Sequence, residues 1–254
     1  VPQESEGMHN KVPEVTLAFW VIKICATTLG ETFGDFLSMT LGLGYAASTA
    51  LLFVVFVITL VAQIASRSFH PFVYWSVILS TTTVGTTISD YLDRTAGLGY
   101  VAGSALLGIV LICVLTMWRS TTGSISVSAI TNAKVEVFYW TAILVSNTLG
   151  TALGDFMADS SGLGFGGAAL VFAGLLTVIA LAYFFTGISR TALFWFAFVL
   201  TRPLGATLGD VLTKPMDHGG LNLGRLESSL VITVFLVATI LLTSQRPEQS
   251  TKRA

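Results

Sequence analysis

Residues 20–45 read WVIKICATTLGETFGDFLSMTLGLGY, and residues 75–100 read WSVILSTTTVGTTISDYLDRTAGLGY. Aligned on Asp35 and Asp90, both stretches carry a Trp fifteen residues earlier (Trp20, Trp75) and a Gly five residues earlier (Gly30, Gly85). A small residue, Gly34 or Ser89, stands just before the Asp, and Gly-Leu-Gly-Tyr follows it. The pattern returns at 140–165 with Trp140, Gly150, Gly154 and Asp155. A looser fourth copy at 195–224 holds Trp195, Gly205, Gly209 and Asp210. Coincidences at one spacing in four places mark a duplicated unit, here long enough for two helices. From Asp to Asp the copies lie 55, 65 and 55 residues apart, so two pairs of repeats are joined by a longer middle connection.

Composition decides the setting expected for those helices. Of 254 residues, 53% are hydrophobic and 11% charged, with a mean hydropathy of +0.79. A soluble domain usually has about 25% charged residues. The polar surface needed by a cytosolic enzyme, a nucleic-acid binder or a disordered regulator is missing. Four charge-free runs, 45–65, 98–118, 165–185 and 230–243, alternate with four polar-bearing ones, about 15–39, 71–92, 135–158 and 191–212. Each approaches the roughly 20 residues of a membrane-crossing helix. The expected fold class is an all-α integral membrane protein: eight transmembrane helices from four parallel two-helix repeats, in two pseudo-symmetric halves. The expected organisation is an N-terminal tail 1–13, repeats one and two over 14–118, a linker 119–134, repeats three and four over 135–244, and a tail 245–254.

Loop charge orients such a chain. Lys11, Arg67, Arg119, Lys134, Arg190, Arg246, Lys252 and Arg253 fall on one side, against Arg94, Lys214 and Arg225 on the other. Both termini are therefore expected in the cytoplasm, with no cleaved leader visible in 1–11. Cys25 and Cys113 sit in apolar runs, and His9, His70 and His218 lack ligand spacing, so no Cys or His metal site, cofactor or catalytic set is indicated.

On the four Trp residues and the Gly–Asp motifs quoted above, the whole chain resembles a bacterial membrane-protein family built from four tandem two-helix repeats with a characteristic Trp. That resemblance implies the repeat architecture and a bacterial inner-membrane location. The family it points to has no settled activity, so it transfers no functional residue.

Helical geometry assigns roles to the motif. Gly30 with Gly34, Gly150 with Gly154 and Gly205 with Gly209 are GxxxG pairs, and Gly85 with Ser89 is the small-residue equivalent. Such pairs let two backbones approach. Intramembrane carboxylates are costly and face a partner or cavity, so Asp35, Asp90, Asp155, Asp210 and the extra Glu31 are expected to bind a cation or proton. Seven and four residues before each Asp stand Thr28 and Glu31, Thr83 and Thr86, and Thr148 and Thr151. With Asn147, these are expected to line a pathway. Lys23 and Arg202 supply counter-charge, Arg202 in a copy that replaces the stripe with Pro203 and Ala206. The Trp residues are expected in an interfacial aromatic belt or in helix packing.

The resulting expectation is a small secondary transporter moving a hard cation, proton-coupled, along the odd-numbered helices, with the even helices against lipid. Oxygen ligands favour a proton, sodium, magnesium or manganese. Alternatives are a cation channel with a pseudo-fourfold Asp ring and a non-catalytic membrane scaffold. The expected partners are the bilayer and a small cation, without nucleic acid; self-association stays open.

Overall fold

The computed structural model describes residues 11–127, 130, 132–243 and 246–247. His9, Lys252, Arg253 and most of both expected tails lie outside them. Eight helices follow in order: α1 Leu17–Asp35, α2 Gly44–Ala65, α3 Pro71–Asp90, α4 Gly99–Thr122, α5 Ala133–Asp155, α6 Gly164–Phe185, α7 Arg190–Thr213 and α8 Arg225–Leu242. Local chemistry sets their starts. The Thr16 hydroxyl accepts from the Phe19 N–H and the Asn132 side chain from the Val135 N–H, while Pro71 opens α3 where no N–H is needed. In the first three repeats the odd helix runs past its Asp into a five-residue π-helical turn, Phe36–Thr40, Tyr91–Thr95 and Phe156–Ser160. The Gly-Leu-Gly motif then reverses the chain, because both glycines hold positive φ, 69° and 73° at Gly42 and Gly44. Repeat four has a 3₁₀ turn, Met216–His218, in place of the π segment.

The helices form two concentric layers. Helices α1, α3, α5 and α7 pack in that order, and α7 returns to α1, closing an inner ring. Outside it, α2 lies on α3, α4 on α5, α6 on α7 and α8 on α1. Each repeat therefore lends its second helix to the first helix of the next, and the last repeat lends its own to the first. The ends meet as well: Pro13 pairs with Pro247, and the Glu14 N–H donates to the Arg246 carbonyl at 2.8 Å.

Glycines set how closely the inner ring closes. A Cβ on Gly30 would run into the Thr82 hydroxyl, one on Gly205 into the Thr27 hydroxyl, and one on Gly150 into the Arg202 stem. At Gly85 the opposing atoms are backbone of Asn147 and Thr148, 3.1–3.2 Å away. In every case the Gly five before one Asp receives the residue eight before the Asp of the adjoining ring helix. Gly34 meets Thr86, Gly154 meets Ala206 and Gly209 meets Glu31 in the same way, one turn further on.

The two layers do not supply the eight membrane spans expected from sequence. Among the described residues five helices, α2, α4, α6, α7 and α8, are long and apolar enough to cross a membrane. The other three carry Lys23, Glu31, Asn147 and runs of Thr in a buried face. Even α7 belongs to the interior, with 72% of its apolar window buried against 17–22% in the other four. What the ring encloses is a closely packed core of ion pairs and bonded hydroxyls. The integral-membrane fold class, the bacterial inner-membrane location, the cytoplasmic termini and the bilayer as partner rested on eight such spans, and are withdrawn with them.

The aromatic belt is corrected too. Trp75, Trp140 and Trp195 are buried, with Trp20 half-buried beside Phe19 and Phe194. Trp118 and Trp195 meet edge to face at 5.8 Å, and the Tyr74 and Tyr139 hydroxyls bond at 2.6 Å. The repeated Trp packs one end of the inner ring.

Candidate functional site

The other end of the ring gathers the acids. Asp35, Asp90, Asp155 and Asp210 each end, or nearly end, an inner helix, and all four are at most 2% exposed. They are held as two pairs, each bridged by one cation. Lys214 Nζ lies 2.7 Å from Asp35 Oδ2 and 3.1 Å from Asp210 Oδ1. Arg94 lies 3.2 Å from Asp90 Oδ1 and 3.1 Å from Asp155 Oδ2. Arg225 approaches Asp35 Oδ2 at 3.6 Å. Burial opposes the Lys214 charge, but Asp210 and Asp35 more than offset it, so its pKa lies above the ordinary lysine value.

One layer deeper, the residues four before each Asp face the ring axis: Glu31, Thr86, Thr151 and Ala206. Ala206 is small, and Arg202, one turn earlier on the same helix, reaches into the space between the others. Its Nη2 donates to Glu31 Oε2 at 2.9 Å, Thr86 Oγ1 at 2.5 Å and Thr151 Oγ1 at 2.6 Å. Arg202 is fully buried, yet its Nε and Nη1 find no acceptor. A further turn down, Lys23 Nζ stands 3.4 Å from Asn147 Oδ1 and 4.2 Å from the centre of the Phe198 ring. Asn147 in turn donates to Thr81 at 3.0 Å.

The expected pathway residues thus divide. Thr86, Thr151 and Asn147 reach the axis. The hydroxyls of Thr28, Thr83 and Thr148 donate to the carbonyls of Ile24, Leu79 and Leu144 on their own helices. Of the two expected counter-charges, Arg202 meets a carboxylate and Lys23 meets an amide. Arg94 and Lys214, which loop charge placed on one side for orientation only, turn out to clamp the acids. Each stands four residues after a motif Asp, an i,i+4 relation that the sequence does display.

This geometry overturns the transport reading. Arg202 and its partners block the axis beneath the acid rim, and the rim itself is closed by two bridging cations. A groove of about 820 Å³ lies elsewhere, against α1, α6 and α7, lined by Trp20, Ile24, Leu176 and Phe194 and by none of the acids. The secondary transporter, its transported cation and the channel with an open Asp ring are all corrected on this ground. The scaffold alternative, in which acids and glycines only pack helices, leaves unexplained why Asp35 Oδ1 is buried without a partner.

The arrangement can hold a metal ion. Glu31, Asp35 and Asp210 each offer a carboxyl oxygen, and the three lie within 4.8 Å of one another. An all-oxygen, anionic set suits a hard cation of the magnesium or manganese class. The Lys214 ammonium, bridging two of the three, stands where such a charge would sit.

No curated protein and no solved structure matches the chain. One repeat family does, described as a Repeat of Unknown Function (DUF347), in four copies at 18–69, 73–124, 138–189 and 193–246. The match carries the four-repeat architecture, each copy starting just before its Trp. It says nothing of a membrane or a bacterial source, and the membrane half of the resemblance is corrected by the ion-paired core and the buried acid triad. Because the four copies span most of its length, the chain belongs to the DUF347 repeat family.

Proposed function

We propose that this protein binds a hard divalent cation at Glu31, Asp35 and Asp210, with Lys214 as a tethered competitor. The observation that carries the reading is a set of three buried carboxylates within 4.8 Å, one of whose oxygens, Asp35 Oδ1, has neither a hydrogen bond nor an ion-pair partner. Buried like charges repel unless a cation lies among them. Lys214 meets that need for two acids, and a divalent ion would meet it for all three while releasing the lysine. Arg202 stays on Glu31 and fixes that carboxyl from the opposite side. Because the acids and bases are engaged with one another, the reading is of a binding protein and not of an enzyme.

Titration of the full chain with Mn²⁺, followed by calorimetry and electron paramagnetic resonance, tests this. One ion is expected per chain. Asp35→Asn and Asp210→Asn are each expected to weaken binding at least tenfold, a change of about 1.4 kcal/mol. Lys214→Met is expected to tighten it by removing the competitor. Undiminished binding in both Asn variants would sink the reading, as would no binding by the wild type.

A further inference from the structure

The inner ring contains a second charge imbalance, separate from the acid triad. Twelve residues before each Asp stand Lys23, Ile78, Ile143 and Phe198, and eight before stand Thr27, Thr82, Asn147 and Arg202. Three copies of the first layer are apolar and three of the second are neutral. One lysine and one arginine break the pattern, and both are fully buried.

The neighbours of these two cations place them one helical turn apart. On α5, Lys23 reaches Asn147 while the Arg202 stem fills the notch at Gly150, three residues on. On α7, Lys23 lies over the ring of Phe198, four residues before Arg202 itself. Residues three or four apart on a helix are roughly 5–6 Å neighbours. Burial, and after it the like charge of Arg202, pulls the Lys23 pKa well below its ordinary value. The carboxylate of this column, Glu31, is bonded by Nη2 and lies on the acid side of the guanidinium. Lys23 has the Phe198 ring and one long hydrogen bond to an amide oxygen, and the N–H groups on Arg202 Nε and Nη1 have no acceptor. Unpaired buried cationic donors are costly, and mutual repulsion adds to the cost. Both vanish if one small anion accepts from the two side chains together.

We propose that the ring axis holds a monovalent inorganic anion of the halide class between the Lys23 ammonium and the unpaired guanidinium N–H groups of Arg202. The anion counters the burial and the Arg202 repulsion that act against the Lys23 charge, and so holds the ammonium protonated beside the Arg202–Glu31 pair. It is bound as a structural ion, independently of any cation at the acid triad.

The test uses the full chain, purified in sodium gluconate, with chloride substituted at constant ionic strength. The thermal midpoint of the wild type is expected to rise by several degrees and saturate, since a ligand of the native state alone stabilises by mass action. Lys23→Met, close in shape but without charge, is expected to lose that response. Protein purified and crystallised in bromide is expected to give an anomalous peak within hydrogen-bonding reach of Lys23 Nζ and the Arg202 guanidinium. A wild-type midpoint indifferent to chloride, or an equal response in Lys23→Met, overturns the proposal. So does a bromide crystal with no peak at the axis, a result that stands even if the variant does not fold.

Discussion

At the scale of single residues, Arg202 does the most to shape the core. It occupies the position held by Thr27, Thr82 and Asn147 in the other repeats, and it bonds the polar residue four before the Asp in all three of them. Removing it leaves Glu31 buried without its ion-pair partner, held by one hydrogen bond from the Thr86 hydroxyl. Arg202→Met is expected to destabilise the protein by about 3–5 kcal/mol, whereas Arg202→Met with Glu31→Gln should cost less than Arg202→Met alone. Urea unfolding of the two variants checks both, and equal costs would show that the pair is not coupled. The sequence marked Arg202 as a counter-charge because it breaks a repeated apolar helix. Which acid it meets was not legible, since Glu31 is 171 residues away at the opposite end of the chain. The roles of Arg94 and Lys214 were hidden differently. Loop cations are read for orientation, while an i,i+4 ion pair past the end of a helix depends on the turn that follows.

At the scale of elements, the repeated glycines serve two unrelated ends. Those inside the odd helices are sites of close approach, and those in Gly-Leu-Gly are sites of unusual backbone conformation. Gly205 has ordinary helical geometry and a crowded surface, while Gly42 has φ of 69° with open space around it. Gly205→Ala is expected to cost about 1–3 kcal/mol through overpacking against Thr27. Gly42→Ala is expected to cost about 1–2 kcal/mol through left-handed strain. Adding Thr27→Ala should recover part of the first loss and none of the second, which thermal denaturation of the four proteins can read. Recovery in both, or in neither, would show that the two glycine classes do not differ as described. The packing role of the helical glycines was readable from their spacing of four. Their partners were not, because the receiving position, eight before the next Asp, carries Thr, Thr, Asn or Arg and shows no common side chain.

Across the whole molecule, a fourfold plan is overlaid by a twofold one. Backbones and glycine contacts repeat four times around the ring, yet bridging cations come only from repeats two and four. The step pattern of 55, 65 and 55 residues shows a twofold plan in the chain as well. It groups repeats one with two, while the bridged acids group one with four and two with three. Repeat number and helix number were thus legible, because spacing survives substitution. What spacing cannot convey is which helix packs on which. Two adjacent apolar runs suggest a hairpin closed on itself, whereas α2 here leaves α1 and lies on α3. The error over eight spans has a related origin. The polar stripes of the odd helices read as the wall of a pathway through lipid, whereas Thr86 and Thr151 close on Arg202 as a packed interior.

The handing of each outer helix to the next repeat separates order along the chain from order in space. No repeat is first in the ring, and residues 13 and 247 already lie side by side. A circular permutant follows, with residues 248–254 and 1–10 kept as the join and a new start opened just after Gly123, where α4 ends in a left-handed turn. It is expected to keep the helix content of the parent by circular dichroism and to unfold in one cooperative step near the parent's midpoint. A permutant that fails to fold would mean that the ring must be assembled from repeat one onward. If it folds, where the polypeptide begins is a property of its synthesis and not of its architecture.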